Sequence, residues 1–277
     1  MKENTINNVT FTSHMMGGLG NQMFQMAHAI SQSWKHDSDC FFLKKSETPG
    51  DGKQPNNYIN NIYKNFKFSD DDKFDLLIRE NHFNDAKINI TPNKSIKFWG
   101  YFQSSKNFLG YDEKIKSIFE PDLDFIKKIK SKFPQLNGNT TSLHIRRGDY
   151  LSITNILPII DKTYFDFCLK EIGDYGQIFI FTNDKEWVKN NIKYENSIIV
   201  TDLEDYEELW MMSLCTNNIL SNSSFSWWGG FLNKNTNKKV MVPSIWFGPQ
   251  GIHPHFNIFE KDWTKINVFY ENGMLKT

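Results

Sequence analysis

The sequence lacks the features that mark secreted, disulfide-rich and membrane-spanning proteins. Its three cysteines, Cys40, Cys168 and Cys215, are odd in number and far apart, which fits neither a disulfide framework nor a Cys-x-x-Cys metal site. The apolar runs are too short to cross a bilayer, and the first residues have no apolar segment of a signal peptide. We therefore expect a cytoplasmic protein with at most peripheral membrane association.

The chain also lacks an excess of charge. Its 32 basic residues balance its 32 acidic residues, so no overall field attracts nucleic acid, and any anion site must be local. A length of 277 residues, of which 39% are hydrophobic, suggests two globular domains. The Asn-Gly-Asn segment before residue 141 is the candidate boundary, which gives domains 1–140 and 141–277.

Strands and helices alternate along the chain. A short strand from Thr10 leads through the glycine-rich turn 17–20 into a helix, and 112–119 and 124–133 have helical spacing. Beyond the boundary, strands predicted at 142–147, 177–182 and 197–201 alternate with helices, and the last strand begins at Val240. This order predicts an α/β fold with parallel sheets, in which ligands bind beyond the carboxyl ends of the strands.

The segment His144-Ile-Arg-Arg-Gly-Asp149 ends one of these strands with polar residues. Period-two alternation puts His144 and Arg146 on the face opposite the apolar residues, with Arg147 and Asp149 at the carboxyl end. Arginine suits a diphosphate because its planar fork donates two parallel hydrogen bonds. The alternative is that one of the two arginines pairs with Asp149 in a structural bridge, but two arginines beside one carboxylate leave a surplus positive charge, which favours an anionic ligand.

Two other strand ends carry polar turns. Asn183 and Asp184 follow the strand 177–182. One interpretation is that they bind the base or ribose of a nucleotide, and the alternative is that they cap the next helix. The run 221–226 is rich in serine and precedes Trp227-Trp-Gly-Gly, and a helix starting there would offer amides and hydroxyls to a phosphate. The alternative is a serine-rich cap on a buried aromatic helix.

The N-terminal glycine turn indicates a close approach of the backbone to another group. It matches neither Gly-x-Gly-x-x-Gly nor a P-loop, and we expect Gly18, Asn21 and Gln22 to face the cleft, with a simple tight turn as the alternative.

No pattern in the sequence requires a metal. Two Asp-x-Asp pairs, at Asp122 at a helix start and at Asp70 in an acidic loop, are expected to cap helices. His253 and His255 have a spacing that could hold a metal, but no Cys or third His lies near them in the sequence.

Together these motifs resemble the bacterial α-1,2-fucosyltransferases of glycosyltransferase family 11. The resemblance runs from near the N-terminus to Asp262-Trp263, and its motifs are Gly17–Gln25, His144–Asp149, Phe179–Asp184 and Ser221–Asn233. The His-x-Arg-Arg-x-Asp motif is also shared with α-1,6- and protein O-fucosyltransferases, so it points to GDP-fucose but not to the linkage.

The resemblance implies a GT-B-like pair of Rossmann-type domains facing a cleft, with the acceptor on the side of 1–140 and GDP-fucose on 141–277. It implies inverting single displacement without a metal or other cofactor, with Arg146 on the β-phosphate. The candidate base for the acceptor hydroxyl is Asp149, and a structural pairing of Asp149 with Arg147 is the alternative. The related α-1,6 enzymes have a glutamate where Thr154 stands here, so that position supplies no base. The expected donor-binding residues are His144, Arg147, Asn183, Asp184, Ser223, Ser224 and Phe225.

The expected reaction moves L-fucose from GDP-fucose to the 2-hydroxyl of a β-galactoside in an oligosaccharide. The acceptor choice is expected to lie in the loop 48–61 and in aromatic residues such as Trp99 and Tyr101. A fucosyltransferase of another linkage or acceptor is one alternative, and a lectin without turnover is another. The lectin alternative leaves the paired arginines unexplained, and a glycosidase would need two facing carboxylates.

Overall fold

The computed structural model of the protein describes residues 9–45, 53–80, 93–252 and 256–277. The chain divides into two compact units, Met1–Phe119 and Glu120–Thr277. This division falls before the expected boundary at residue 140, because the helix that follows Asp122 packs within the second unit. Its Phe125 ring lies 5.1 Å from the ring of Trp210, and Lys128 Nζ lies 2.9 Å from Glu207 Oε1.

The first unit contains a four-stranded parallel sheet. Its elements are β1 (Thr10–Ser13), α1 (Leu19–Lys35), β2 (Asp39–Cys40), β3 (Phe42–Leu43), β4 (Phe68–Ser69), β5 (Leu76–Arg79), β6 (Ser95–Trp99) and α2 (Asp112–Phe119). The sheet order is β2-β1-β6-β5, and β3 and β4 form a separate parallel pair. The strand, glycine turn and helix predicted at the start of this unit are confirmed.

Helix α1 packs one face on this sheet. Its buried apolar side chains include Met23, Phe24 and Ala27, at the spacing of one helix face, and His28 meets Phe98 of β6 at 4.5 Å between ring centroids. Gly17, before the helix, has φ +73°, and a Cβ there would collide with the side chain of Asn21. Glycine is therefore required at this turn.

The second unit contains a six-stranded parallel sheet. Its elements are α3 (Leu123–Lys132), β7 (Thr140–Ile145), β8 (Ile159–Ile160), α4 (Lys162–Ile172), β9 (Gln177–Thr182), α5 (Lys185–Asn191), β10 (Ser197–Ile199), α6 (Asp205–Leu214), β11 (Asn217–Ile219), α7 (Ser224–Phe231), β12 (Val240–Pro243), β13 (Thr264–Ile266), β14 (Phe269–Glu271) and β15 (Met274–Lys276). The sheet order is β10-β9-β7-β11-β12-β13, and every pair is parallel.

Local sequence explains most of these elements. All but the first residue of β9 are buried, as in a strand covered on both faces, and Asp161 caps α4 by accepting from Thr163 N at 3.0 Å. Glu204 and Glu207 form a capping box at the start of α6. The strands and helices predicted between 142 and 243 are thus confirmed, with ends shifted by a few residues.

The prediction that the last strand begins at Val240 is wrong. Strand β13 adds a parallel edge to the main sheet, and β14 and β15 form an antiparallel hairpin that joins β8. Each of these strands has three residues and includes charged ones, so none shows a clear alternation. In the described ranges no helix is long and apolar enough to cross a membrane.

Candidate active site

Three adjacent strands of the second unit bring the predicted polar turns together. Strand β7 lies between β9 and β11, and all three are parallel, so their carboxyl ends share one edge of the sheet. The turns that follow are 146–149, 183–184 and 220–223. Arg147 N donates to Asn183 Oδ1, and hydrogen bonds from His144 and Tyr150, on either side of the first turn, reach Ser221 and Asn222, so the predicted convergence of these turns is confirmed.

Arg146 and Asp149 form an ion pair at this edge. Arg146 Nη2 lies 2.6 Å from Asp149 Oδ1, and both side chains are about one-quarter to one-third exposed. The contact lacks hydrogen-bond geometry. Arg146 Nε and Asp149 Oδ1 are therefore buried polar atoms without a hydrogen-bond partner among the described residues. Such atoms normally find a partner, so this pair is incomplete as a structural bridge and has bonding capacity left for a ligand.

Arg147 is paired with Asp184 and not with Asp149. The alternative that one arginine pairs with Asp149 is therefore confirmed for Arg146, whereas a pairing of Asp149 with Arg147 is wrong. Arg147 Nε donates to Asp184 Oδ2 at 3.2 Å, and its guanidinium lies 3.9 Å from the ring centroid of Trp187. The predicted surplus positive charge is thus wrong, since two arginines face two carboxylates. The sequence missed this because Asp184 lies on a neighbouring strand end.

Asn183 and Asp184 also perform local structural tasks. Asp184 Oδ1 accepts from Trp187 N at 3.1 Å and so caps α5, as the capping alternative predicted. Asn183 Oδ1 accepts from the backbone N of Arg147 at 2.9 Å, while the residue itself is exposed. Both residues therefore fix the arginine turn from the neighbouring strand.

His144 lies buried at the end of β7. A hydrogen bond of 2.6 Å joins its Nδ1 to Ser221 Oγ, and its ring lies 5.4 Å from the ring of Phe225. Burial, with a further contribution from the positive charge of Arg146, lowers the pKa of His144 to about 3. The imidazole is therefore neutral at physiological pH and adds no positive charge to the site.

The N-terminus of α7 lies at the same edge, because the turn 220–223 leads directly into this helix. Ser223 is its N-cap residue and makes no side-chain capping bond, and the first turn, with Ser224 and Phe225, contains no acidic residue. The first amides of a helix lack intrahelical acceptors, and its dipole favours an anion. A helix of eight residues with this start suits a phosphate group.

Tyr150 and Asn222 connect the first and third turns, and the sequence analysis singled out neither. Tyr150 Oη donates to the backbone O of Asn222 at 3.1 Å, and Arg146 lies 5.2 Å from the tyrosine ring. Asn222 Nδ2 donates to the backbone O of Pro158 and of Trp246, both at 3.0 Å. Trp187, which stacks on Arg147, was missed as well. The sequence signal for Trp187 was its position three residues after Asp184, which places it in the first turn of the helix that Asp184 caps.

Gly148 allows the turn after Arg147 to form. Its φ is +42°, and a Cβ at this position would overlap the side-chain amide of Asn183. The motif glycine therefore serves both the left-handed backbone and the close approach of the β9 turn.

Thr154 packs against Gly273. A Cβ on Gly273 would lie 2.6 Å from Thr154 Oγ1, so the threonine packs against the turn between β14 and β15. The position at which the related α-1,6 enzymes have a glutamate is thus occupied by a packing residue. Asp149 is the acidic residue beside Arg146 in this turn.

The first-unit residues predicted to face a cleft have different surroundings. Gly18 is the N-cap of α1, and a Cβ there would meet open space. Asn21 Oδ1 accepts from Gln103 Nε2 at 2.6 Å. Gln22 is buried, and its side-chain amide is fully engaged. Its Nε2 donates to the backbone O of Gly17 and of Lys53, and its Oε1 accepts from Tyr63 Oη. The expectation of an accessible Gln22 is wrong, since its side chain closes the glycine turn.

Of the two Asp-x-Asp pairs, that at Asp122 has the expected capping use, whereas that at Asp70 contributes an ion pair instead of a helix cap. Asp122 caps α3 by accepting from Phe125 N at 2.8 Å, and Asp72 pairs with the buried Lys97 at 2.6 Å. Across the described ranges, no three His, Cys, Asp or Glu side chains are grouped as metal ligands. His253 and His255 lie outside the described residues, as does the part of the loop 48–61 before residue 53. Metal independence stays a prediction.

The fold as a whole is that of known GT-B-like glycosyltransferases. The α-1,6-fucosyltransferase NodZ from Bradyrhizobium, solved with GDP, superposes with a TM-score of 0.52 over 81% of this chain and 92% of NodZ. At 10% identity this likeness shows the fold alone. The GT-B-like α/β fold predicted from the sequence is confirmed.

Sequence comparison identifies the family. The model of glycosyl transferase family 11 matches residues 2–267, and the chain belongs to that family. An α-1,2-colitosyltransferase of Escherichia coli is 31% identical, with 92% of this chain and 98% of the relative covered. A galactoside 2-α-L-fucosyltransferase of Caenorhabditis elegans is 26% identical, with 49% of this chain and 42% of the relative covered. The family resemblance proposed from the motifs is confirmed.

Proposed function

We propose that the protein transfers L-fucose from GDP-fucose to the 2-hydroxyl of a β-galactoside, with inversion and without a metal. Membership of glycosyl transferase family 11 supports glycosyl transfer, and the names of the two relatives support an α-1,2 linkage. The observation that carries the donor assignment is the incomplete pairing of Arg146 among the described residues, at the carboxyl edge of the sheet where α7 begins.

In this proposal the diphosphate binds between Arg146 and the start of α7. The formal charges of the two arginines and the two aspartates balance, so attraction for the anion comes from two local sources. One is Arg146 Nε, which has no hydrogen-bond partner in the described part of the chain, and the other is the partial positive charge at the helix N-terminus, where Ser223 and Ser224 add hydroxyls. Arg147, fixed by Asp184 and Trp187, holds the adjacent part of the donor. His144 and Phe225 line the same edge, and Asn183 orients the turn.

The reaction forms a bond between the acceptor oxygen and C1 of fucose while the bond from C1 to the β-phosphate oxygen breaks. Negative charge develops on the departing GDP, where Arg146 and the helix amides stabilise it. The proton of the acceptor hydroxyl passes to Asp149, the carboxylate beside Arg146. Asp149 therefore has two roles in the proposal, to hold Arg146 before binding and to accept the proton during transfer.

A second donor is favoured by one comparison. The α-1,2-colitosyltransferase covers nearly the whole chain, and colitose is L-fucose without its 3-hydroxyl. The proposed diphosphate site between Arg146 and the start of α7 suits either donor, because fucose and colitose differ only at C3, which is remote from the diphosphate. GDP-colitose is therefore the alternative donor.

Product analysis with both donors tests the proposal. The purified protein is incubated with GDP-fucose or GDP-colitose and a panel of β-galactosides, with and without EDTA, and the new linkage is determined by NMR. The proposal expects an α-1,2-linked fucoside formed equally well in EDTA. Preference for GDP-colitose would replace the donor, and a product linked to another hydroxyl would refute the assignment of the acceptor position.

A further inference from the structure

A buried tyrosine lies between the two halves of the proposed diphosphate site. Tyr150 follows Asp149 in the chain, and only 7% of its surface is exposed. Its backbone N donates to Arg147 O at 2.8 Å, and its backbone O accepts from Ile153 N at 3.0 Å. The backbone of the tyrosine is therefore fixed to the turn that contains Arg146.

The ring of Tyr150 supports Arg146. The guanidinium carbon lies 5.2 Å from the ring centroid, within the range of a cation–π contact. The contact of the same guanidinium with Asp149, at 2.6 Å, lacks hydrogen-bond geometry. That ion pair alone leaves the direction of the planar fork poorly defined, and the flat face of the tyrosine is a second surface that restricts it.

The hydroxyl of Tyr150 is anchored at the turn before α7. It donates to Asn222 O at 3.1 Å, and Asn222 is itself fixed by two hydrogen bonds from its Nδ2, to Pro158 O and Trp246 O. Burial raises the pKa of Tyr150 to about 12, although the positive charge of Arg146 lowers it in part. The hydroxyl therefore keeps its proton at physiological pH and remains a donor.

A second hydrogen bond joins the Tyr150 side chain to that of Ser223. Ser223 is the N-cap residue of α7, where serine normally accepts from an amide of the first turn, but it makes no such capping bond. Tyr150 holds this hydroxyl instead, so the hydroxyl does not occupy the amides of its own helix. The tyrosine thus contacts Arg146 through its ring and the start of α7 through its hydroxyl.

We infer that Tyr150 is a positioning residue, which fixes the separation between Arg146 and the start of α7 to suit a nucleoside diphosphate. The two phosphoryl groups of a diphosphate share one bridging oxygen, so the groups that bind them must stand at a set separation. A separation fixed before the donor arrives lowers the ordering cost of binding. This inference deepens the proposed function and rests on it for the identity of the donor.

Substitution of Tyr150 should weaken GDP binding while Arg146 is still present. We expect Tyr150→Phe to raise the Kd for GDP about 5-fold in calorimetry, the equivalent of one net hydrogen bond. Tyr150→Leu also removes the ring and should raise the Kd about 25-fold.

Tyr164→Phe is the matched control. Tyr164 is buried, and its Oη donates to Leu220 O at 2.8 Å, in the same turn before α7, while its ring packs in the apolar core beside Phe165. Its substitution removes the same kind of hydrogen bond from the same turn. That variant should lose similar stability to Tyr150→Phe but bind GDP as wild type does.

A double-mutant cycle separates positioning from packing. Without Arg146 there is no separation left to fix, so Tyr150→Phe added to Arg146→Ala should change the Kd for GDP by less than about twofold. A purely structural tyrosine would lower the melting temperature and leave the GDP affinity of the folded protein unchanged. An unchanged Kd in Tyr150→Phe, an equal loss with and without Arg146, or an equal loss in Tyr164→Phe overturns the inference.

A measurement on the otherwise wild-type chain covers the case in which Tyr150→Phe fails to fold. A fluorotyrosine is placed at position 150 alone, which keeps the ring and the hydroxyl and gives a single fluorine signal. GDP should shift this signal, and guanosine, which lacks the diphosphate, should not. If GDP shifts it but no fucose reaches a β-galactoside, the inference stands and the proposed reaction falls. An unmoved signal at saturating GDP, or an equal shift with guanosine, overturns the inference even where fucose is transferred.

Discussion

Replacement of Arg146 by alanine should abolish most of the transfer activity while leaving the fold intact. The side chain lies after the end of β7 and is 26% exposed, and its contact with Asp149 lacks hydrogen-bond geometry. Partly exposed ion pairs contribute about 0–1 kcal/mol to stability, so the melting temperature should change little. The loss of activity should therefore come from the missing donor at the leaving diphosphate.

The size of the effect follows from the charge that Arg146 meets. Loss of one well-placed donor to a developing oxyanion raises a barrier by about 3–4 kcal/mol, which lowers kcat by about 10²–10³-fold. Arg146→Lys keeps the positive charge but loses the planar fork, so we expect an intermediate loss of about 10–100-fold. The difference between lysine and alanine thus measures charge separately from geometry.

The assay is steady-state transfer from GDP-fucose to a β-galactoside, with thermal unfolding measured on the same preparations. Lys162→Ala is the matched control, because Lys162 forms an ion pair of 2.6 Å with Asp166 in the same unit but on α4. That variant should keep full activity. A soluble Arg146→Ala variant with kcat within threefold of wild type would refute the role given to this arginine.

Three further predictions follow from the geometry of the described residues. Asp149→Asn should lower kcat about 100-fold and remove the acidic limb of the pH–rate profile; a limb that persists would leave Asp149 with only its contact to Arg146. Gly148→Ala should cost ~1–2 kcal/mol from its left-handed φ and displace the amide of Asn183, so an active variant of wild-type stability in urea unfolding would contradict the tight turn. Burial lowers the pKa of His28 to about 4, so between about pH 6.5 and about pH 4 the unfolded chain binds a proton that the native protein does not, and stability should fall as the pH drops. His28→Phe should weaken this dependence by up to ~1.4 kcal/mol per pH unit, and an unchanged slope in urea unfolding would argue against a neutral buried imidazole.

The sequence was sufficient to predict the strands and helices that position the candidate site. The continuous apolar run of β9 and the alternation of the last residues of β7 are strand signals, and residues such as Asp161 and Glu204 mark helix starts directly. Strands β13 to β15 could not be predicted in this way, because three residues with charged members give no period. Their pairing is set by tertiary contacts with β12 and β8.

The composition of the candidate site was predictable, but its pairing was not. The turns that contain Arg146, Asn183 and Ser221 follow parallel strands of one sheet, so they had to share one edge, whatever the order of the strands. Which carboxylate meets which arginine depends on side-chain directions across neighbouring strands, and the structure pairs Arg147 with Asp184. The inward direction of Gln22 likewise depends on contacts with residues distant in sequence.

The central claim is that this family 11 glycosyltransferase uses Arg146, at the carboxyl edge of the second-unit sheet, to transfer fucose from GDP-fucose to O2 of a galactoside. One NMR time course with GDP-fucose and N-acetyllactosamine tests it most directly, with wild type and Arg146→Ala side by side. We predict that wild type yields an α-fucosyl anomeric proton correlated with C2 of galactose, and that the variant yields almost none. A correlation with another carbon, free fucose alone, or equal product from both proteins would contradict the claim.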